Sequence, residues 1–137
     1  MGTLVTETPV ASSGAALRHF EGMLAFETDC WDVHESLRSP KPDFILASVD
    51  RPRSQMDMSV NIPHGQLTAS RIAEFPKGKL FVVYCAGPHC NGANKAALRL
   101  ARLGLPVKMM IGGITGWLDE GFSLATQATG SPAPAEP

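Results

Sequence analysis

The stretch KLFVVYC at 79–85 constrains the fold more than any other part of the 137-residue chain. It is continuously apolar and rich in β-branched and aromatic residues, as a central parallel strand covered on both faces must be. A glycine-bearing loop follows, and then GANKAALRLARL reads as a helix that Gly104 and Pro106 stop. DFILASV at 43–49 and VKMMIGG at 107–113 read as further buried strands, and SVNIPH at 59–64 as a short one ended by a proline. CWDVHESL, with Thr28 or Asp29 as its cap, ASRIAEF and ITGWLDEG supply helical segments between or beside them. Strands alternating with helices predict an α/β domain with a mainly parallel sheet. Such sheets bind ligands beyond the carboxyl ends of their strands, and Cys85 stands at one of those ends.

The rest of the chain sets the limits. Upstream, AALRHFEGMLAFET places Ala16, Phe20, Met23 and Leu24 on one helical face. Residues 1–14 are small and polar and read as a flexible N-terminus, whereas 125–137, rich in Pro, Ala, Ser and Thr, read as a disordered tail. One domain is expected over 15–124. With 44% hydrophobic and 18% charged residues and a net charge of −1, the balance is that of an ordinary globular protein. Near-neutrality argues against a nucleic-acid partner. No apolar run reaches the length of a membrane span, so no membrane partner is expected either. The N-terminus lacks the basic-then-apolar layout of a secretory signal. Three cysteines are too few for a disulfide framework, which makes reduced thiols in the cytoplasm the expectation.

Chemistry concentrates in the loop AGPHCNG at 86–92. Asn91 is a favourable helix N-cap, and Gly87 and Gly92 permit turns that other residues avoid. A tight loop leading into a helix N-terminus gathers unpaired N–H groups around one point and adds the positive end of the helix dipole, a nest that favours an anion. If Cys85 sits at its centre, the anion is its own thiolate, with a pKa lowered from about 8.5 to roughly 3.5–7.5. The competing reading makes Cys85 a small buried hydrophobe at a strand end. The strand–Cys–loop–helix pattern alone leaves both open.

The segment VVYCAGPHCNGANKAALRLARLGLPVKMMIGGITGWLDEGF resembles the C-terminal half of a rhodanese-like (sulfurtransferase) domain of the single-domain type. The residues that carry the likeness are Cys85 after an apolar strand, the Ala96-Ala97 pair, the turn from Leu103 to Val107, and Gly112 to Trp117 with Gly121. HFEGMLAFETDCWDVHESL is similar to the helical lead-in of some members. The resemblance implies a rhodanese-like fold, with a small, mainly parallel five-stranded sheet flanked by helices. It also implies that Cys85 takes a sulfane sulfur from a donor such as thiosulfate, holds it as a persulfide, and yields it to cyanide or a thiol. The backbone of Ala86, Gly87, Pro88, His89, Cys90, Asn91 and Gly92 would hold the substrate. The implied partners are small sulfur-containing anions or protein thiols, with no cofactor and no metal.

The chain departs from the family pattern in three places. His89, Cys90 and Asn91 stand where many members carry Arg or Ser/Thr. The usual DVR strand end appears as ASVDRPR, and of the usual GHIPGA segment only the end is matched, by Asn61 to His64. A non-catalytic rhodanese-like module that binds or regulates a protein is therefore the alternative.

Neighbouring residues have two readings each. Cys90 could attack a persulfide on Cys85 and form a disulfide, or merely fill a loop position. His89, when protonated, could steady an anionic donor, or point to solvent. Lys95 and Arg51 could steer anions, or be ordinary surface cations. Cys85, His89, Cys90 and His64 match no common zinc spacing. Trp117, Met109 and Met110 read as core, and Cys30 as a packed helix residue. The related cell-cycle phosphatases and arsenate reductases need an arginine six positions after the nucleophile; here that position is Asn91, which argues against phosphoryl chemistry.

Overall fold

A computed structural model of the chain describes residues 2–50 and 58–124. Its strands are β1 (Glu27–Thr28), β2 (Phe44–Ser48), β3 (Val60–Asn61), β4 (Leu80–Tyr84) and β5 (Val107–Met110). Its helices are α1 (Ser13–Phe26), α2 (Cys30–Leu37), α3 (Ala69–Ile72), α4 (Gly92–Arg102) and α5 (Gly113–Asp119), with a 3-10 turn at His64–Gln66. The strands form one sheet in the order β1-β5-β4-β2-β3, and every pairing is parallel.

The apolar run explains why β4 is central. Phe81, Val83 and Cys85 face one way and pack with Ala47, Ala96 and Leu100. Val82 and Tyr84 face the other way, onto Val33 of α2, Met110 and Trp117 of α5. Both faces are covered, so alternation is lost in the sequence but kept in the packing. The two buried polar tips find partners: Tyr84 Oη and Ser59 Oγ lie 2.8 Å apart, and Trp117 Nε1 donates to the Ser123 carbonyl at 2.9 Å. Leu100 anchors α4 on the sheet and is fully buried. Leu100→Ala is expected to lower the unfolding free energy by about 2–5 kcal/mol, read from the urea midpoint at constant m-value.

The helix starts follow capping chemistry. Asp29, one of the two expected caps, accepts the Asp32 amide at 2.8 Å, and Ser12 accepts the Ala15 amide at 3.1 Å. Asn91 holds the N-cap position of α4 but makes no side-chain cap bond. Its backbone (φ −95°, ψ 16°) is already near-helical rather than extended, so its side chain does not make the cap expected of it.

One other expectation is corrected. Glu27 and Thr28, read as the end of the first helical segment, form edge strand β1 opposite Met109 and Met110. Phe20, Met23 and Leu24 share a face but are exposed; the half-buried positions of α1 are Ala15, Ala16 and Gly22. Small residues let this helix lie close to the sheet beside β5 while its large side chains point away. Among the described residues, no helix is long and apolar enough to cross a membrane. The expected tail at 125–137 and Arg51 lie outside the described residues.

Candidate active site

Cys85 follows β4 directly, at the carboxyl end of the sheet, and is 4% exposed. The chain then turns back on itself: the Cys90 amide donates to the Gly87 carbonyl at 3.0 Å. This turn returns Cys90 to Cys85, with Cα atoms 6.4 Å apart and the sulfurs joined as a disulfide. α4 begins two residues later. Its first amide, on Gly92, donates to Cys90 Sγ at 3.4 Å. A Cβ at Gly92 would lie 2.9 Å from Cys85 Sγ, so glycine lets the helix start against both sulfurs.

The opposite wall is the turn from β5 to α5. Gly112 and Gly113 have φ of 91° and 59°, the left-handed region that glycine adopts without penalty. From this turn the Ile114 amide donates to the Cys85 carbonyl at 3.1 Å, and the Thr115 amide to the Ala86 carbonyl at 2.9 Å. The Thr115 hydroxyl donates to the same Ala86 carbonyl at 3.2 Å. Two loop carbonyls are thereby tied to the neighbouring βα turn. Among the described residues, the amides of Ala86, Gly87, His89 and Asn91 donate to no protein acceptor.

Between the walls is a cavity of about 280 Å³ whose lining includes Cys85, Gly87, Pro88, Cys90, Asn94 and Gly113. Pro88 and Asn94 are exposed, so the cavity reaches the surface. Of the loop residues singled out from sequence, Gly87, Pro88 and Cys90 line it with Cys85. Ala86, His89, Asn91 and Gly92 do not. His89 is exposed, with its ring over Gly87: a Cβ there would meet the imidazole at 3.2 Å. Lys95 is exposed on α4 and away from the lining. Asn94 and the 109–113 segment were not anticipated as lining. Their signal was positional, because the carboxyl end of the strand beside β4 must border the same crevice.

The third cysteine behaves differently. Cys30 Sγ lies 3.6 Å from the Ile111 carbonyl and 3.7 Å from that of Gly113, on the far side of the glycine turn. Burial, with the Asp29 and Glu120 carboxylates adding to it, pushes its thiol up to about 11. It remains protonated at neutral pH and packs under Gly116, where a Cβ would sit 3.2 Å from the sulfur. Among the described residues, no group of three or more His, Cys, Asp or Glu side chains gathers as metal ligands would.

A family model, the rhodanese-like domain, matches residues 47–120. The chain belongs to the rhodanese-like domain family. The match runs from β2 to the end of α5 and so contains the whole cysteine loop and the glycine turn. Among solved structures, the BH2092 protein of Bacillus halodurans is similar at 30% identity, covering 83% of this chain and 86% of that one, with a TM-score of 0.80. The rhodanese-like domain of the Alr3790 protein of Anabaena sp. is 21% identical over 81% of this chain and 87% of its own, with a TM-score of 0.64. A Rhodopseudomonas palustris protein of unknown function, RPA3614, described as a possible tyrosine phosphatase, is 19% identical over 88% and 99%, with a TM-score of 0.59. No curated protein matches significantly. The rhodanese-like fold and five-stranded parallel sheet expected from the sequence are the ones found.

Proposed function

We propose that this rhodanese-like domain is a sulfurtransferase in which Cys85, when reduced, takes sulfane sulfur from an anionic donor such as thiosulfate and carries it as a persulfide. The observation that carries this reading is the position of Cys85 in the cavity, at the start of a loop with four amides that no protein acceptor takes. The thiolate attacks the outer sulfur of thiosulfate and sulfite departs, leaving Cys85–S–S⁻. Both the incoming donor and the terminal sulfur are anions, and the free amide of Gly87, which lines the cavity, together with the N-terminus of α4 favours negative charge there. A thiophile such as cyanide, or a thiol, then removes the sulfur.

The description of the Rhodopseudomonas palustris protein raises phosphate chemistry. In the present chain Asn91 occupies the place where such a loop holds its arginine. A neutral amide lacks the planar, charged fork that grips a transferring phosphoryl group, so sulfur transfer is the better reading.

The test begins with fully reduced protein. Incubation with thiosulfate, removal of excess reagent and intact-mass measurement should show one added sulfur, located on Cys85 by peptide mapping, or its departure product as an equivalent of hydrosulfide. No sulfur added, and neither sulfite nor hydrosulfide formed, would leave a rhodanese-like domain that binds rather than transfers.

A further inference from the structure

The cysteine loop contains a second sulfur that persulfide formation does not need. We infer that Cys90 is a resolving cysteine: it turns the Cys85 persulfide into hydrosulfide and makes the protein a dithiol-dependent sulfide-releasing enzyme. The inference rests on the proposed persulfide at Cys85 and names that sulfur's first acceptor.

Connectivity decides the direction of attack. The disulfide joins Cys90 Sγ to Cys85 Sγ, so the fold lets Cys90 reach the inner sulfur of a persulfide held on Cys85. Attack there makes the Cys85–Cys90 bond and breaks the bond to the outer sulfur. Attack on the outer sulfur would only move the persulfide from one cysteine to the other. Only attack on the inner sulfur ends in the Cys85–Cys90 bond that the fold accommodates, which favours the first course.

The attacking atom is prepared as well. The Gly92 amide, first in an eleven-residue helix, donates to Cys90 Sγ at 3.4 Å. An amide and a helix N-terminus both favour thiolate over thiol. Gly92 also leaves room for both sulfurs, since a Cβ there would lie 2.9 Å from one and 3.4 Å from the other. Cys30 takes no part: it lies beyond the glycine turn with its thiol held protonated.

The step balances as Cys85–S–S⁻ plus Cys90–SH giving Cys85–S–S–Cys90 plus HS⁻. The outer sulfur is reduced to sulfide and the two cysteine sulfurs are oxidised to a disulfide. The proton on Cys90 passes first to the outer sulfur, so that a thiolate attacks and hydrosulfide, not S²⁻, departs. A dithiol reductant closes the cycle: its two thiols become a disulfide, Cys90 regains its proton, Cys85 returns as thiolate, and one proton is released.

A single-turnover experiment tests this. Wild type and Cys90→Ser are reduced, freed of reductant under anaerobic conditions and given thiosulfate. Sulfite, hydrosulfide, intact mass and disulfide linkage are then measured. Wild type should release sulfite and hydrosulfide in equal amounts with no added thiol, and end with the Cys85–Cys90 disulfide. Cys90→Ser should release sulfite, gain one sulfur and give at least tenfold less hydrosulfide until a thiol is added. If wild type instead keeps its persulfide and forms no disulfide, the resolving role is overturned while persulfide chemistry stands. Equal hydrosulfide from Cys90→Ser overturns it in the same way. If neither protein releases sulfite or gains sulfur, the persulfide itself is refuted, and the resolving role with it.

Discussion

Cys85→Ser is expected to abolish transfer of sulfur from thiosulfate to cyanide, by more than about a thousandfold, while the domain stays folded. The hydroxyl is nearly the size of the thiol, and Cys85 shares its buried cluster with Val83 of β4 and Ala93 of α4, so replacement opens no large cavity. A serine hydroxyl has a far higher pKa than a thiol and forms no persulfide, so losing the covalent carrier removes the reaction rather than slowing it. Folding must be compared with both proteins reduced. Against oxidised wild type, the variant also lacks the short-loop disulfide, a difference of about 2 kcal/mol in the chain-entropy account. Turnover at the wild-type rate would move the chemistry away from Cys85 altogether.

The second large effect is expected at Gly113. Its φ of 59° costs an L-residue about 1–2 kcal/mol, and a Cβ there would also run into the Cys85 carbonyl and stand 2.8 Å from the Gly87 amide. Neither neighbour can move freely. The Cys85 carbonyl is held by the Ile114 amide, and the next carbonyl by Thr115. Gly113→Ala should therefore lower the melting temperature and also displace the loop, cutting persulfide formation at least tenfold. Gly104 supplies the control. It has φ of 79° at the end of α4, with open space around the place its Cβ would take. Gly104→Ala should cost only the backbone penalty, about 1–2 kcal/mol, and leave transfer intact. If the two variants behave alike, contact between the glycine turn and the cysteine loop does not position Cys85.

The longer helices and strands were legible because each carries several turns or pleats of one pattern. KLFVVYC contains β4, GANKAALRLARL contains α4, and CWDVHESL coincides with α2. β1 was not legible. Two residues hold no period, and Glu27 and Thr28 are a strand only because Met109 and Met110 lie alongside. The apolar stripe of α1 was read as a shared face and is one, but periodicity reports that one side is apolar, not that anything covers it. At the site, Cys85 and its loop were visible as a strand end running into a helix. The wall formed by Gly112 and Gly113 was not, because residues twenty and more positions downstream meet the loop only through the crossover of α4. Which sulfur would lie beside Cys85 was equally a matter of the return path of the chain. The turn closed by the Gly87 carbonyl brings Cys90 back, and spacing alone does not specify that turn.

Among the described residues, the sheet ends on both sides in a strand of two residues, Glu27–Thr28 at one border and Val60–Asn61 at the other. A foreign strand arriving at either border would find too few amides and carbonyls to extend the ladder, so fibrillar growth has little template to start from. The continuously apolar β4, which would be hazardous if laid bare, is paired on both sides, with β2 along its whole length and with β5 at Phe81–Val83.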